Sequence, residues 1–217
     1  DKTSEFNRLV LDFKVKDGFD IDRYYELKIK SLYSEIVSFI SKASFGWEME
    51  PSGDIHWLRK ANQEMVDAIK DIKHLQKNLI KYRSDANPVI KNQYNKLRVQ
   101  IASLIQTLES IHASEADDMP SLMIDQLRLD ADIQYTEQNQ FINALIRDHK
   151  ITAEMATSLM NDKVYVYDIT RKLIDMGHTL FIKQNKTLTN AEKNIQLDDL
   201  ELKHIQDQQL TTTPEPR

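Results

Sequence analysis

Asp162 is the residue of this sequence whose type and position most suggest chemistry. It interrupts an apolar helical stripe between Leu159 and Val166, so its carboxylate is predicted to face the interior. A buried carboxylate is costly unless it is paired, hydrogen-bonded or bound to a metal ion. Either the helix start is frayed, or a Lys, Arg or Tyr of a neighbouring helix satisfies Asp162, or the residue belongs to a ligand-binding or switch site. Gln134 and Gln138, on the seam of another predicted helix, could be its partners or could form a polar layer that fixes the packing register.

A second group of carboxylates, Asp67 and Asp71, is spaced four residues apart within a predicted helix. Side chains at this spacing share one face and lie close enough to hold a cation together. The alternative is a solvated flank, in which the two carboxylates pair with Lys70, Lys73 or another helix. Asp67, Asp71 and Asp162 are therefore the candidate residues of a cation-binding or signalling site.

Acidic residues also precede histidine by three positions four times, where random placement predicts about one such pair. Pairs of this spacing line the metal sites of di-iron carboxylate bundles, where they project inward from the middle of helices. The pairs are Asp71/His74, Glu109/His112, Asp175/His178 and Glu201/His204. Leu108 and Ile111 occupy the seam beside the second pair, and the fourth pair falls in a polar helix. We therefore interpret these pairs as local helix-stabilising contacts, and a free-standing metal-binding or oxidase-type bundle is the alternative.

The composition excludes several function classes. The 217 residues include no cysteine, which excludes disulfides and thiolate metal sites and fits a reducing compartment. There is no glycine-framed serine and no glycine-rich phosphate loop, so no enzymatic activity is predicted. A net charge of −5 gives no basic footprint for DNA or RNA. No run of about 18 apolar residues, the length that crosses a bilayer, occurs in the sequence.

Long helices must position these side chains. Between Asp54 and Tyr82, two rows of uncharged residues recur at seven-residue intervals, which is the pattern of one helix face. The first row is Leu58, Met65, Ile72 and Leu79, and the second is Ala61, Ala68, Leu75 and Tyr82. The two alanines would allow a partner helix to come close.

Capping residues mark where other helices start. Asp20, Asn87 and Thr152 are each predicted to cap a helix, and Pro88 fits the first helical position after Asn87. A capping-box pattern begins a last, more polar helix at Thr189. The helix after Asp20 has a predicted buried seam that consists of Tyr25, Ile29, Leu32, Ile36, Phe39 and Ala43.

The sequence therefore predicts an all-α fold, an antiparallel bundle of about six long helices joined by short connections. Residues 1–18 would form a connector helix and residues 19–210 the bundle, with halves at 19–113 and 118–210. Residues 211–217 would form a disordered tail because they are polar and rich in proline.

Two stretches carry a family resemblance. The first, AIKDIKHLQKNLIKYRSDANPVIKNQYNKLR, runs from Ala68 to Arg98, and the second, ITAEMATSLMNDKVYVYDITRKLI, runs from Ile151 to Ile174. Both resemble the cytoplasmic extension that follows the membrane part of bacterial sodium-dependent phosphate cotransporters. Together they cover about a quarter of the chain. In that family the extension is similar to PhoU, a helical bundle with two three-helix repeats.

The resemblance implies a site and a role. PhoU proteins carry an acidic residue followed four positions later by Asp, a motif that can bind clusters of divalent or iron-type metal ions, and Asp67 and Asp71 fit it. At Asp162 the matching earlier position is Ser158, so the second copy departs from the motif. The implied role is a non-catalytic regulatory or assembly domain of a sodium/phosphate symporter, on the cytoplasmic side of the bacterial inner membrane. Its implied partners are its own transmembrane domain, a second copy in a homodimer, and phosphate-signalling proteins.

Two other assignments stay open. The phrase around DHKITAEM, which starts at Asp148, is loosely similar to the cytoplasmic tails of bacterial sodium/proton antiporters. A plain interaction scaffold, whose seams only form a bundle or dimer and bind no small ligand, would also account for the pattern.

Overall fold

The computed structural model describes residues 2–12, 20–45, 53–114 and 119–182, and every regular element in these ranges is helical. The helices are α1 (Lys2–Asp12), α2 (Ile21–Tyr24), α3 (Lys30–Phe45), α4 (Gly53–Arg83), α5 (Pro88–His112), α6 (Met119–Arg147) and α7 (Ala153–Phe181). A π-helical turn, Tyr25–Ile29, joins α2 to α3. The predicted all-α helical bundle is confirmed. The helix predicted at Thr189 and the tail predicted at 211–217 lie outside the described residues.

Three capping side chains set where helices begin, as the sequence predicts. Asp20 accepts hydrogen bonds from two backbone N–H groups in the first turn of α2, at 2.9 and 3.2 Å. Asn87 does the same for α5, at 2.9 and 3.3 Å, and Pro88 follows it at the start of the helix. The Thr152 hydroxyl accepts a hydrogen bond from the backbone N–H of Met155 at 3.2 Å. Each cap satisfies N–H groups that have no partner inside the helix.

The central helix of the described residues is α7, which packs against α4, α5 and α6. Its contact with α4 is the most extensive between any two of these elements. The row Ala61, Ala68, Leu75 and Tyr82 is only 1% exposed and belongs to the core, whereas Leu58, in the other predicted row, is 53% exposed. The alanines have no side chain beyond Cβ, so the two helix backbones come close together there.

The core has two adjoining parts that α7 connects. The first part joins α4, α5 and α7 with the last turns of α6, and includes Leu75, Tyr94 and Leu159. The second joins α5, α6 and α7, and includes Leu108 and Ile124. Leu173 of α7 packs against both parts. The division into halves at 19–113 and 118–210 stays a prediction.

The seam predicted for the helix after Asp20 is only partly buried. Tyr25 is buried, but Leu32 is more than half exposed and Phe39 is 73% exposed. The physical reason is the π-helical turn between them. A π-helical turn has more residues per turn than an α-helix, so it rotates the face of α3 away from the face that carries Tyr25. As a result α3 presents an apolar stripe that no described helix covers.

The first helix, α1, lies against α5. The Arg98 Nη2 group of α5 donates a hydrogen bond to the backbone carbonyl of Val10 at 2.7 Å. This carbonyl belongs to the last turn of α1, where backbone acceptors have no partner inside the helix. Among the described residues, no helix combines the length and the apolar character that crossing a bilayer requires.

Candidate functional site

Asp162 lies in the first part of the core and is 2% exposed. The Tyr94 hydroxyl of α5 donates a hydrogen bond to Asp162 Oδ2 at 2.6 Å. Burial raises the pKa of Asp162 above its usual value, while hydrogen bonds from Tyr94 and from Asn78 of α4 act in the opposite direction. The carboxyl group therefore joins three helices, α4, α5 and α7, through polar contacts in a largely apolar interior. Of the three interpretations, the contact corresponds to the second, in which a tyrosine of a neighbouring helix satisfies Asp162.

The polar contacts continue along α7 toward its start. The Tyr94 ring stacks on Tyr82 of α4, with ring centroids 4.8 Å apart. The Tyr82 hydroxyl is 3.2 Å from Ser158 Oγ, to which it donates a hydrogen bond. Ser158 occupies the position where the PhoU motif would have an acid, and here its hydroxyl is part of this network. Burial, followed by the nearby Asp162 carboxylate, raises the pKa of Tyr94, so the tyrosine keeps its proton as a donor. We call Tyr82, Tyr94, Ser158 and Asp162 the tyrosine–carboxylate network.

Asp67 and Asp71 lie elsewhere on α4. Asp67 forms an ion pair with Lys70 at 2.7 Å, and Asp71 forms one with Lys172 of α7. Asp71 is seven residues before Asn78, which contacts Asp162, and seven helical residues span about 10 Å. The structure therefore keeps this carboxylate pair apart from Asp162.

Metal binding by these residues stays a prediction. In the described ranges, no group of three or more His, Asp or Glu residues is placed to hold a metal ion. The ion pairs of Asp67 and Asp71 with lysines correspond to the alternative in which these carboxylates form a charged flank. A metal ion at Asp67 and Asp71 would have to displace both Lys70 and Lys172.

One of the described acid–histidine pairs shows a contact between its own two members, and members of the other described pairs contact neighbouring helices. Glu109 and His112 are 4.0 Å apart at an exposed end of α5. Asp175 accepts a hydrogen bond from Arg128 of α6 at 3.0 Å. The His74 ring stacks on Tyr165, with ring centroids 5.0 Å apart. Glu201/His204 lies outside the described residues.

Lys163 is a buried charged residue that the sequence reasoning missed. It is 3% exposed, and its Nζ donates a hydrogen bond to the backbone carbonyl of Gln138 in α6 at 2.7 Å. Burial, together with the positive charge of Lys96, lowers the pKa of Lys163 to about 8. The sequence feature that could have identified Lys163 as buried is its position directly after Asp162, on the buried face of α7. The two neighbours point to different helices, and Gln138 contacts Lys163 rather than Asp162.

A polar cavity of about 550 Å³ lies between α5 and α6, with Thr170 of α7 and part of α1 in its wall. Six side-chain amides line it: Asn7, Asn92, Asn95, Gln100, Gln134 and Gln138. We call it the amide cavity. Gln138 Nε2 donates a hydrogen bond to Gln100 Oε1 at 3.1 Å, which connects the two helices. The polar centre of α6 was the sequence signal, but it did not show that α5 would supply matching amides across a gap.

The chain was compared with models of protein families, with curated proteins and with solved structures, and none of them matches it. The functional assignment therefore rests on the two resembling stretches and on the geometry of the described residues. The first stretch covers much of α4 and the start of α5, and the second covers most of α7. The residues of the tyrosine–carboxylate network all fall within these stretches.

Proposed function

We propose that this chain is a regulatory and assembly domain of a membrane transporter, that the transporter is a sodium/phosphate symporter, and that the domain has no catalytic activity of its own. Its place would be the cytoplasmic side of the bacterial inner membrane. Its first partner would be its own transmembrane domain, and the exposed apolar face of α3 is the observation that carries the proposal.

The face of α3 has the character of an interaction surface. Phe39 and Leu32 are seven residues apart, so they lie on one side of the helix two turns apart. Both are largely exposed, and Leu27 in the preceding π-helical turn is exposed as well. Large apolar side chains that adjoin one another on a surface mark protein or membrane contacts more often than solitary ones do. In the sequence α3 follows residues 1–18, which the resemblance makes the connector from the last membrane helix.

The buried polar groups support a structural rather than a catalytic interior. The Asp162 carboxyl has Tyr94 as a donor, and the Lys163 ammonium group has a backbone carbonyl. A catalytic acid or base has to reach a substrate, whereas both of these groups are more than nine-tenths covered. Paired polar groups of this kind fix which helices meet and in what register.

The experiment substitutes Phe39→Glu in the native gene and measures sodium-driven phosphate uptake in cells and in membrane vesicles. Phe39 is exposed, so the charge should leave the bundle folded while it prevents apolar docking. We expect phosphate uptake, or its adjustment to external phosphate, to be impaired in this variant.

The matched control is Ser38→Glu, which introduces the same charge at an exposed neighbouring position on another side of α3. It should transport and respond like the wild type. Equal behaviour of Phe39→Glu and wild type would contradict the docking role of this face. Absence of any sodium-driven phosphate flux in cells that express the native gene would overturn the transporter assignment, and a sodium/proton exchange activity instead would establish the antiporter alternative.

A further inference from the structure

The amide cavity has the dimensions of a small-molecule site. Its volume of about 550 Å³ lies within the usual range for ligand pockets in proteins. The gap exists because α5 and α6 make little contact with each other, although both pack against α7. The residues that face the gap on α5 recur every three or four positions, from Asn92 through Lys96 and Gln100 to Ser103 and Thr107. The face of α5 toward the gap is therefore mostly polar, and α6 does not close over it.

The lining offers both hydrogen-bond donors and acceptors. A side-chain amide has an acceptor oxygen and a donor NH₂ group on one planar edge. In the Gln138–Gln100 contact, the Gln138 nitrogen donates to the Gln100 oxygen. The remaining Gln100 nitrogen and Gln138 oxygen make no hydrogen bond within the described part of the chain, so this amide pair leaves one donor and one acceptor for a ligand. Asn95 also keeps its NH₂ group available, because its oxygen accepts from Arg98.

The lining selects against strongly charged ligands. It contains one cation, Lys96, and one anion, Asp130, so its formal charge is zero. Lys96 lies over the Phe141 ring, 5.5 Å from its centroid, and Asp130 accepts a hydrogen bond from Gln126 at 2.8 Å. Sites built for phosphate groups instead collect arginines, several lysines or converging backbone N–H groups. The cavity therefore favours an uncharged molecule.

The remaining wall is apolar. Val99 and Leu104 of α5, Leu127 and Ala131 of α6, and Leu11 of α1 contribute it. An uncharged ligand with a flat hydrocarbon-like face and polar edges matches an apolar wall bordered by amides. Amide side chains pair with the edges of nucleobases through one donor and one acceptor, as Asn and Gln do with adenine.

One atom of the wall lacks a partner. Asn7 Oδ1 of α1 is shielded from solvent and accepts no hydrogen bond among the described residues. A polar atom in this condition is costly, and most such atoms in native structures have a partner. Rotation of the Asn7 amide toward the cavity would give this acceptor a donor on a bound ligand.

We propose that the amide cavity binds a neutral nucleobase-bearing molecule, of which a nucleoside is the representative size. The base edge pairs with the Gln100 and Gln138 amides, its face lies on the apolar wall, and Gln134 and Asn7 contact the polar remainder. This inference does not rest on the transporter assignment, since it concerns the chain alone and is tested without a membrane.

The test is isothermal titration calorimetry of the purified chain with adenosine, guanosine, cytidine and uridine, together with thermal shift. We expect at least one nucleoside to bind with one-to-one stoichiometry and to raise the melting temperature. Adenosine monophosphate should bind no more tightly than adenosine, because the lining holds a single lysine, balanced by Asp130, and no cluster of basic groups for a phosphate. Glucose, which has hydroxyl groups but no planar amide edge, should not bind.

The variant is Gln134→Leu, which removes an amide and keeps a similar volume at an exposed position of α6. We expect it to weaken nucleoside binding by about fivefold, which corresponds to the loss of one hydrogen bond to the polar remainder of the ligand. Gln140→Leu is the matched control, because Gln140 is exposed on the same helix and lies outside the cavity lining. It should bind like the wild type.

A second variant, Ser103→Leu, fills the cavity from α5 and should abolish binding. No heat of binding for any nucleoside at millimolar concentration would overturn the proposal. So would affinity that neither Gln134→Leu nor Ser103→Leu reduces, much tighter binding of the monophosphate than of adenosine, or equal binding of glucose.

Discussion

The interface between α4 and α7 is closely packed, whereas a gap remains between α5 and α6. The two regions differ in the types of side chain that face each other, which can be read from the sequence. Across α4 and α7 the buried facing residues are mostly alanines and aliphatic side chains, with a few polar contacts between them, and the two helices make extensive contact. Across α5 and α6 amides and hydroxyls outnumber the apolar residues of the cavity wall, and a cavity remains. Both α5 and α6 pack against α7, as α4 does, so the side chains that face each other account for the difference.

Small residues alone do not bring two helices into close contact. Ala131 is buried in the wall of the amide cavity, much as Ala68 is buried against α7. Ala68 is flanked by core residues such as Leu75, whose contact with α7 removes apolar surface from water. Ala131 is flanked by Gln134, which stays hydrated and gains little from closing the gap. The neighbours of a small residue therefore decide whether its helix approaches another.

The largest expected effect comes from breaking the closed interface with Ala68→Glu. This substitution places a carboxylate between α4 and α7 without a partner, which should cost about 3–5 kcal/mol of unfolding free energy and unfold most of the chain. Circular dichroism during thermal denaturation measures it. Gln63→Glu, at an exposed position of α4, is the control and should change stability by less than about 0.5 kcal/mol. Wild-type melting of Ala68→Glu would show that α4 packs in another register.

A smaller effect is expected where α7 contacts α6, at Lys163. Its pKa of about 8 in the folded chain is below the ordinary 10.5, so the unfolded chain holds the proton to higher pH. Stability should therefore rise with pH between about 8 and 10.5, by up to about 3 kcal/mol. Urea denaturation at a series of pH values measures it. The stability of Lys163→Met should not rise with pH in this range. The control Lys91→Met, at an exposed position of α5, should show the same rise as the wild type. Identical pH profiles for wild type and Lys163→Met would exclude a lowered lysine pKa.

The smallest effect is expected at Asp162, because hydrogen bonds from Tyr94 and Asn78 partly offset the effect of burial on its pKa. The folded-state pKa of Asp162 is raised above 3.8, so its contribution to stability is complete below this pH and is lost as pH rises through the raised pKa. Asp162→Asn mimics the protonated carboxyl group. Its free energy of unfolding should therefore increase relative to that of the wild type, by about 1 kcal/mol, as pH increases above about 4.

Tyr94→Phe provides the companion measurement for Asp162. It removes a hydrogen bond that favours the charged carboxylate, so the pKa of Asp162 should rise further. The decrease in the free energy of unfolding with rising pH should then become larger. Denaturation curves of wild type and Asp162→Asn that run parallel across this pH range would contradict a raised pKa.

The local features of the fold were accessible from sequence because each depends on a few neighbouring residues. Asp20, Asn87 and Thr152 cap helices through side-chain geometry that spans three residues. The buried row on α4 follows from helical periodicity. The exposure of Phe39 could not be predicted, because it depends on a π-helical turn several residues away, and periodicity analysis assumes an unbroken α-helix.

Of the tyrosine–carboxylate network, the sequence singled out only Asp162; Asp67 and Asp71, predicted together with it, form ion pairs elsewhere on α4. Asp162 was expected to be buried, and a tyrosine was among the partners considered. The choice of Tyr94 rather than Gln138 depends on how α5, α6 and α7 are arranged around one another, which no single helix pattern specifies. The amide cavity requires knowledge of the distance between α5 and α6, so only half of its lining, on α6, was visible in the sequence.

The contact of Arg98 with the Val10 carbonyl has a mechanical consequence. Arg98 is one helical turn beyond Tyr94, so adjacent turns of α5 hold the end of α1 and the buried carboxyl group. A displacement of α1 would therefore act on the turn of α5 next to the one that carries the donor to Asp162.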